Sequence, residues 1–253
     1  MFSTKTIELK SPKEIGLMRE AGAIVAATLR ILADAVAAGV TTAELDRISR
    51  DELAKRKAKP AFLGYHGFPA ALCVSINSEV VHGIPSDKRK VCEGDLVSLD
   101  FGCIVGGLYA DAAVTVGVGK ISASAQKLMD VTKQSLHAGI DQIKNGGRLG
   151  DVSSAVQAHV EKNGFSVVRD FVGHGIGRAL HEDPPVPNYG KAGTGLRLQT
   201  GIVLAVEPMV NIGGPEVETL DDGWTAVTKD GSLSAHFEHT IALTEKGPEI
   251  LTA

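Results

Sequence analysis

The residues of this chain best able to do chemistry are four acids and an imidazole set into otherwise apolar, strand-like runs. Asp100 and Asp111 lie in LVSLDFGCIVGGLYADAAVTV (Leu96 to Val116), His174 in VGHGIG (Val172 to Gly177), Glu207 in LAVEPMV (Leu204 to Val210) and Glu238 in AHFEHTI (Ala235 to Ile241). A buried carboxylate without a partner is costly, so an acid inside an apolar strand is paired, hydrogen-bonded or coordinated. Taken singly, each is more readily structural than a ligand. Four carboxylates in one cleft, however, would repel one another and take up protons, whereas two divalent cations would balance them. Oxygen-rich ligation with one imidazole suits Mn, Fe, Co or Zn in a two-metal hydrolytic site better than a thiolate zinc site. Two such ions, about 3.5–4 Å apart, acidify a shared water and polarise a carbonyl, which is hydrolase chemistry.

Positioning begins with the hairpin. Gly106-Gly107 offers a two-residue turn that tolerates positive φ. If Val105 pairs with Leu108, Gly102 faces Asp111 and Asp100 faces Ala113, so both aspartates share one face. Val97, Leu99, Phe101, Cys103, Ala110, Ala112 and Val114 fall on the other and should enter the core. Diagonal neighbours across strands sit about 7–8 Å apart, near enough for both carboxylates to reach one ion.

Around this hairpin the order of elements repeats. Ser11-Pro12-Lys13-Glu14 is a capping box with proline at the first helical position, predicting a helix through Ile15, Met18, Val25, Leu29, Leu32 and Val36 to Gly39. Thr41 to Glu44 caps a second helix that ends before Pro60. Strands follow at Leu72 to Ile76 and in the hairpin. From about Ser122 a helix runs through Leu128, Val131, Leu136 and Ile140 to Gly146-Gly147, and another from Asp151 to Asn163-Gly164. Strands are expected again over Phe165 to Val172, Gly201 to Ile212 and Leu233 to Thr244. Two similar halves, roughly 11–120 and 121–253, would then join their sheets around one cleft within a single catalytic domain.

Bulk properties exclude other classes. A net charge of −4 over 253 residues argues against a dedicated nucleic-acid binder, so no DNA is expected as a partner. Three cysteines, Cys73, Cys92 and Cys103, form no disulfide framework and fit a reducing, cytoplasmic setting. The N-terminal stretch has no apolar leader, and Arg30 and Asp34 interrupt the most apolar run, so no membrane span is expected.

The ordered set Asp100, Asp111, Gly173-His174-Gly175-Ile176-Gly177, Glu207-Pro208-Met209-Val210 and Glu238-His239-Thr240 resembles the methionine aminopeptidases of the pita-bread fold, over roughly Ser11 to Ala253. The stretches Ser75 to Pro85 and Asp222 to Thr225 look like that family rather than its prolidase relatives. Without a zinc-binding extension or long insertion, the chain resembles the compact, bacterial-style type I enzymes. The resemblance implies an α+β fold, a curved and mainly antiparallel sheet flanked by helices. It implies removal of initiator methionine from nascent chains and peptides when the second residue is small, at the ribosome or free of it, by a monomer.

It also implies roles. Asp100, Asp111, His174, Glu207 and Glu238 would be the metal ligands, with Asp111 and Glu238 bridging two ions (Co, Mn, Fe or Zn). Glu207 would carry the proton between nucleophile and leaving amine. His181 would hydrogen-bond the substrate carbonyl, and His82 would contact the scissile amide or the departing peptide. Tyr65, Phe68, Cys73, His82, Leu180 and Trp224 occupy the family's side-chain pocket. Tyrosine is usual where Phe68 stands, an aromatic where Leu180 stands, and cysteine often where Phe62 stands, so pocket shape should differ. Asn77 with nearby carbonyls would hold a monovalent cation. His66, His236 and His239 are further expected neighbours, while His137 and His159 read as helix-surface residues.

Rival readings fit less well. A prolidase would carry a separate N-terminal domain, a binding module on this fold would have lost ligands, Gly173-His-Gly-Ile-Gly177 lacks a dinucleotide fingerprint's continuation, and no H-E-x-x-H occurs.

Overall fold

The computed structural model describes residues 7–253; residues 1–6, part of the stretch read above for a leader, lie outside the described residues. Its helices start where side chains satisfy the free N–H groups of the first turn. Helix α1 (Pro12–Ala35) opens with a reciprocal cap, in which the Ser11 hydroxyl accepts from Glu14 N and the Glu14 carboxylate accepts from Ser11 N. Thr41 and Glu44 repeat this device at α2 (Thr42–Arg56). Ser122 caps α3 (Ala123–Ile140) through Ala125 N. Helix α4 (Leu149–Lys162) starts two residues before the expected Asp151, because the Asp151 carboxylate reaches back to Arg148 N at 2.9 Å. Helix α1 stops short of Gly39 because Val36 turns extended, and α3 stops at Ile140, well before Gly146-Gly147.

Among the described residues, nine strands form one antiparallel sheet, curled and flanked by the helices. At its centre is the hairpin Leu96–Val105 and Leu108–Gly117, turned by Gly106 and Gly107 at φ +58° and +85°, with Val105 opposite Leu108 and Asp100 opposite Ala113 as the sequence predicts. Leu72–Ile76 and Lys59–Pro60 flank it on one side. On the other, Glu238–Thr244 joins the halves through only two residue pairs, Glu238 with Ala113 and His239 with Ala112. Val203–Val206, Gly173–Gly175 and Glu182–Val186 continue outward.

Helices cover the apolar face. Val25, Leu29 and Leu32 of α1 and Leu45 and Leu53 of α2 pack with Leu99, Phe101, Cys103, Ala110 and Ala112. Leu136 and Ile140 of α3 and Leu149 and Val152 of α4 pack with Leu204, Val206, Ile241 and Leu243. Each such large side chain contributes about 1.5–3 kcal/mol of burial, and truncating the fully buried Phe101 to alanine would cost about 3–5 kcal/mol.

Three expected strands need correction. Over Phe165 to Val172 only Ser166–Val167 is paired, against Val210 and Asn211. Gly201 to Ile212 splits into Val203–Val206 and Met209–Asn211, and Leu233 to Thr244 splits into Ser234–His236 and Glu238–Thr244. In both splits the chain leaves one sheet for another. Ser166–Val167, Met209–Asn211 and Ser234–His236 make a separate three-stranded sheet, and Glu79–Val81, Val217–Thr219 and Ala226–Thr228 another. The first break falls at Glu207-Pro208, where proline has no N–H to give a ladder. The freed Glu207 carbonyl accepts instead from Asn188 Nδ2 at 2.9 Å.

Candidate active site

Register alone puts the five sequence-selected residues on one face. Asp100 faces Ala113, which faces Glu238, and with His239 opposite Val206 the same register carries Glu207 to the end of this row. The adjacent same-face row runs from Gly102 through Asp111 and Thr240 to Ala205 and His174. The two rows are two residues apart on each strand, the spacing of a single pleat face. Asp111 and Glu238 stand on the middle strands, between Asp100 on one side and Glu207 and His174 on the other.

The side chains converge. His174 Nδ1 donates to Gly175 O at 2.9 Å, which leaves the Nε2 lone pair facing Asp111 Oδ2 at 3.6 Å and Glu207 Oε1 at 3.5 Å. Ligand-capable atoms of Asp111, His174 and Glu238 all lie within 4.8 Å of one another. Thr240 Oγ1 braces Asp111, accepting from its N–H at 3.1 Å and donating to its carbonyl at 2.8 Å. Desolvation, reinforced by mutual repulsion, pushes the carboxyls of Asp100 and Glu207 up to about 8. The same desolvation raises Asp111, and raises Glu238 well above the carboxylate range. Among the described residues Asp100 Oδ1 is buried with no hydrogen-bond partner. Buried carboxylates kept from ionising, an orphaned carboxylate oxygen on Asp100 and an imidazole in its ligating tautomer fit divalent cations, whose charge would offset the desolvation.

Beside this cluster opens a cavity of about 290 Å³, lined by all twelve site residues named from the sequence, together with Phe62 and His66. Its inner wall is Phe62, Phe68, Cys73 and Leu180, each under 9 % exposed. Phe68 meets Trp224 edge to face at 5.1 Å between centroids. Burial holds the Cys73 thiol well above its usual range, so it presents neutral, polarisable sulfur. At the mouth, the Tyr65 hydroxyl lies 2.6 Å from His181 Nδ1, and the His181 ring stands 4.3 Å from that of His174. Desolvation, then repulsion by the charge the imidazoles of His174, His82 and His66 would carry, holds His181 down to about 3. His82, at φ +62°, packs edge-on to Phe171 at 5.5 Å and is held down to about 4 by desolvation.

The other histidines separate by strand parity. His236 shares parity with Glu238 and brings Nε2 to 3.6 Å from Glu207 Oε2. His239, expected as a neighbour, turns to the opposite face, where Nδ1 meets Thr252 Oγ1 at 2.9 Å and its ring lies 6.3 Å from exposed His137 of α3. His159 is only half exposed, with Nε2 buried, rather than a free surface residue. Phe171 beside His82 was not foreseen, since its run read as strand. Asn77, at φ +57°, donates from Nδ2 to Asp95 at 2.7 Å, while Oδ1 accepts from Leu96 N at 2.9 Å and its carbonyl from Ser234 N at 2.8 Å. No helix among the described residues is long and apolar enough to cross a membrane.

Comparison with known proteins identifies the family. Residues 16–245 match the model of metallopeptidase family M24. The chain is 54 % identical to the methionine aminopeptidase of Clostridium perfringens, over 97 % of this chain and 98 % of that one. The crystal structure of methionine aminopeptidase from Thermotoga maritima superposes with a TM-score of 0.96 at 50 % identity, covering 98 % of this chain and 99 % of that one. The prolidase of Pyrococcus horikoshii shares the fold, with a TM-score of 0.78 at 22 % identity over 97 % of this chain and 63 % of its own. In sequence and in fold, the chain belongs to the methionine aminopeptidases of metallopeptidase family M24.

Proposed function

We propose that this chain removes N-terminal methionine from peptides and nascent proteins whose second residue is small, by metal-dependent hydrolysis of the first peptide bond. The observation that carries this reading is the pair of adjacent rows on one sheet face, where both halves deliver desolvated acids beside an apolar pocket. Asp100, Asp111, His174, Glu207 and Glu238 would hold two divalent ions, drawn from Co, Mn, Fe or Zn. Asp111 and Glu238, on the middle strands, would serve both. When bound, such ions supply Lewis acidity, lowering the pKa of water and polarising the substrate carbonyl.

The residues around them complete the reaction. Glu207, beside the metal-holding cluster, takes a proton from the attacking water and passes it to the leaving amine. His181, neutral at working pH, donates Nε2–H to the carbonyl oxygen as it gains charge. His82 contacts the scissile nitrogen or the departing chain. Tyr65, Phe68, Cys73, Leu180 and Trp224 accept the methionine side chain, the thioether lying against apolar and aromatic walls, and Phe62 closes the pocket. The close walls beyond it exclude a bulky second residue.

The chain works as one catalytic domain, its halves at roughly 11–120 and 121–253 sharing the site. A cytoplasmic monomer acting on chains at the ribosome or free of it is part of the same reading, as is a monovalent cation held by Asn77 with neighbouring carbonyls. The test is cleavage by metal-stripped protein titrated with Mn, Fe, Co and Zn, on a Met-Gly-Met peptide and an X-Pro dipeptide. Metal-restored cleavage of the first alone is expected; preference for the dipeptide would sink the proposal.

A further inference from the structure

Glu207 lies between two imidazoles, and the second has no task in the reaction as described. His236 ends the strand Ser234–His236 of the small sheet, opposite Met209, one residue before the chain crosses to the large sheet at Glu238. Its backbone is fixed to the hairpin that carries Asp111: His236 N donates to Thr115 Oγ1 at 2.9 Å, and that hydroxyl donates to His236 O at 2.8 Å. The side chain is 2 % exposed, and among the described residues Nε2 has no hydrogen-bond partner. A buried ring nitrogen left unpaired costs free energy unless a group arrives to take it. Glu207 Oε2 lies 3.6 Å from it, while Glu207 Oε1 faces His174 Nε2 at 3.5 Å.

We infer that His236 is a positioning residue, whose Nε2–H holds Glu207 Oε2 and so keeps Oε1 turned toward His174 and the metal-holding cluster. The 3.6 Å separation closes to a hydrogen bond when it shortens to about 2.7–3.2 Å, and a carboxylate oxygen is the kind of acceptor that strengthens such a bond. The device is an outer hydrogen bond that orients a metal-holding carboxylate, of the kind whose loss lowers metal affinity about 10–100-fold. It rests on the reading of the five residues as metal-holding, and the experiment separates the two.

Calorimetry of Mn2+ binding to metal-stripped wild type, His236→Leu and His236→Gln, each checked by thermal unfolding, reads the effect without activity. Leucine removes the donor, while the glutamine amide puts one back at nearly the same reach. The expected result is Mn2+ affinity about 10–100-fold weaker in the folded Leu variant and within a few-fold of wild type in the Gln variant. Wild-type affinity in the folded Leu variant would overturn the role of His236 and leave the metal set standing. Absence of Mn2+ binding by wild type would overturn both. If the Leu variant does not fold, 15N-histidine spectra of wild type with Zn2+ decide. One exchange-protected Nε2–H that disappears in the Gln variant supports the role, and an unprotonated His236 Nε2 overturns it.

Discussion

The hydroxyl of Tyr65 lies 2.6 Å from Nδ1 of His181, across 116 residues of chain. A phenol O–H given to Nδ1 leaves the proton of the neutral imidazole on Nε2, the nitrogen able to reach a substrate carbonyl. Desolvation raises the Tyr65 phenol further, so it stays a donor. Tyr65→Phe keeps the aromatic wall and loses the bond, so kcat should fall about tenfold with KM for a methionyl peptide little changed. His181→Ala should cost about 10²-fold or more in kcat, the scale of a lost oxyanion donor. Steady-state kinetics reads both, and an unchanged kcat in the Ala variant would remove His181 from the reaction.

Asp111 is 3 % exposed and braced by Thr240 at the middle of the acid row. Asp111→Asn keeps size and loses charge, so it should abolish metal-restored cleavage and weaken Mn2+ binding in calorimetry. Full activity in this variant would place the reaction elsewhere.

Protons and metal compete for the same acids. In the metal-free protein Asp100 and Glu207 hold their protons up to about 8, against ordinary values of 3.8 and 4.5. The folded state therefore binds more protons than the unfolded chain in this window. The stability these groups contribute is full at low pH and is lost as pH rises through about 8. Above about pH 7 the depressed histidines, His82 and His181 among them, are neutral in both states and no longer oppose this, so metal-stripped protein should melt lower at about pH 9 than at about pH 7, with added Zn2+ restoring most of the loss. Calorimetric melts with and without Zn2+ check it; a metal-free Tm that rises over this range contradicts it.

The loop carrying Leu180 and His181 hangs on a mostly buried ion pair. Lys10 Nζ lies 2.5 Å from Glu182 Oε2, and Glu182 Oε1 accepts from Arg178 N and Ala179 N at 2.6 and 3.2 Å. The Lys10 side chain is 1 % exposed and that of Glu182 15 %. Lys10→Met leaves Glu182 without its cation, costing about 2–3 kcal/mol after allowance for its partial exposure. It should lower Tm and also kcat, through a loosened His181. Gly177→Ala should act similarly, since a Cβ there would stand 1.9 Å from Lys10 Cε.

Local chemistry made much of this legible in the sequence. A glycine pair with both φ values positive fixes where the hairpin turns, and a turn fixes register, so the facing of Asp100 and Asp111 could be read from spacing alone. The capping boxes at Ser11 and Thr41 are likewise bonds between residues three apart. The misread stretches are those where local signal and long-range pairing part. The runs around Glu207 and Phe237 look like continuous strands because each half of them is one, yet the halves pair in different sheets. His236 was recoverable in part, since it shares parity with Glu238, and parity also sets His239 on the far face.

By itself, then, the sequence determined the donor types, the hairpin register and the helix starts, because these depend on groups a few residues apart and on the resemblance they carry. Tertiary structure decided which strands are neighbours. Two residue pairs, Glu238 with Ala113 and His239 with Ala112, bring together segments more than a hundred residues apart and turn separate acids into one cluster. No local preference encodes that choice; it is made when α1 to α4 bury the opposite face of the sheet and leave the acids the only face still open to a cleft.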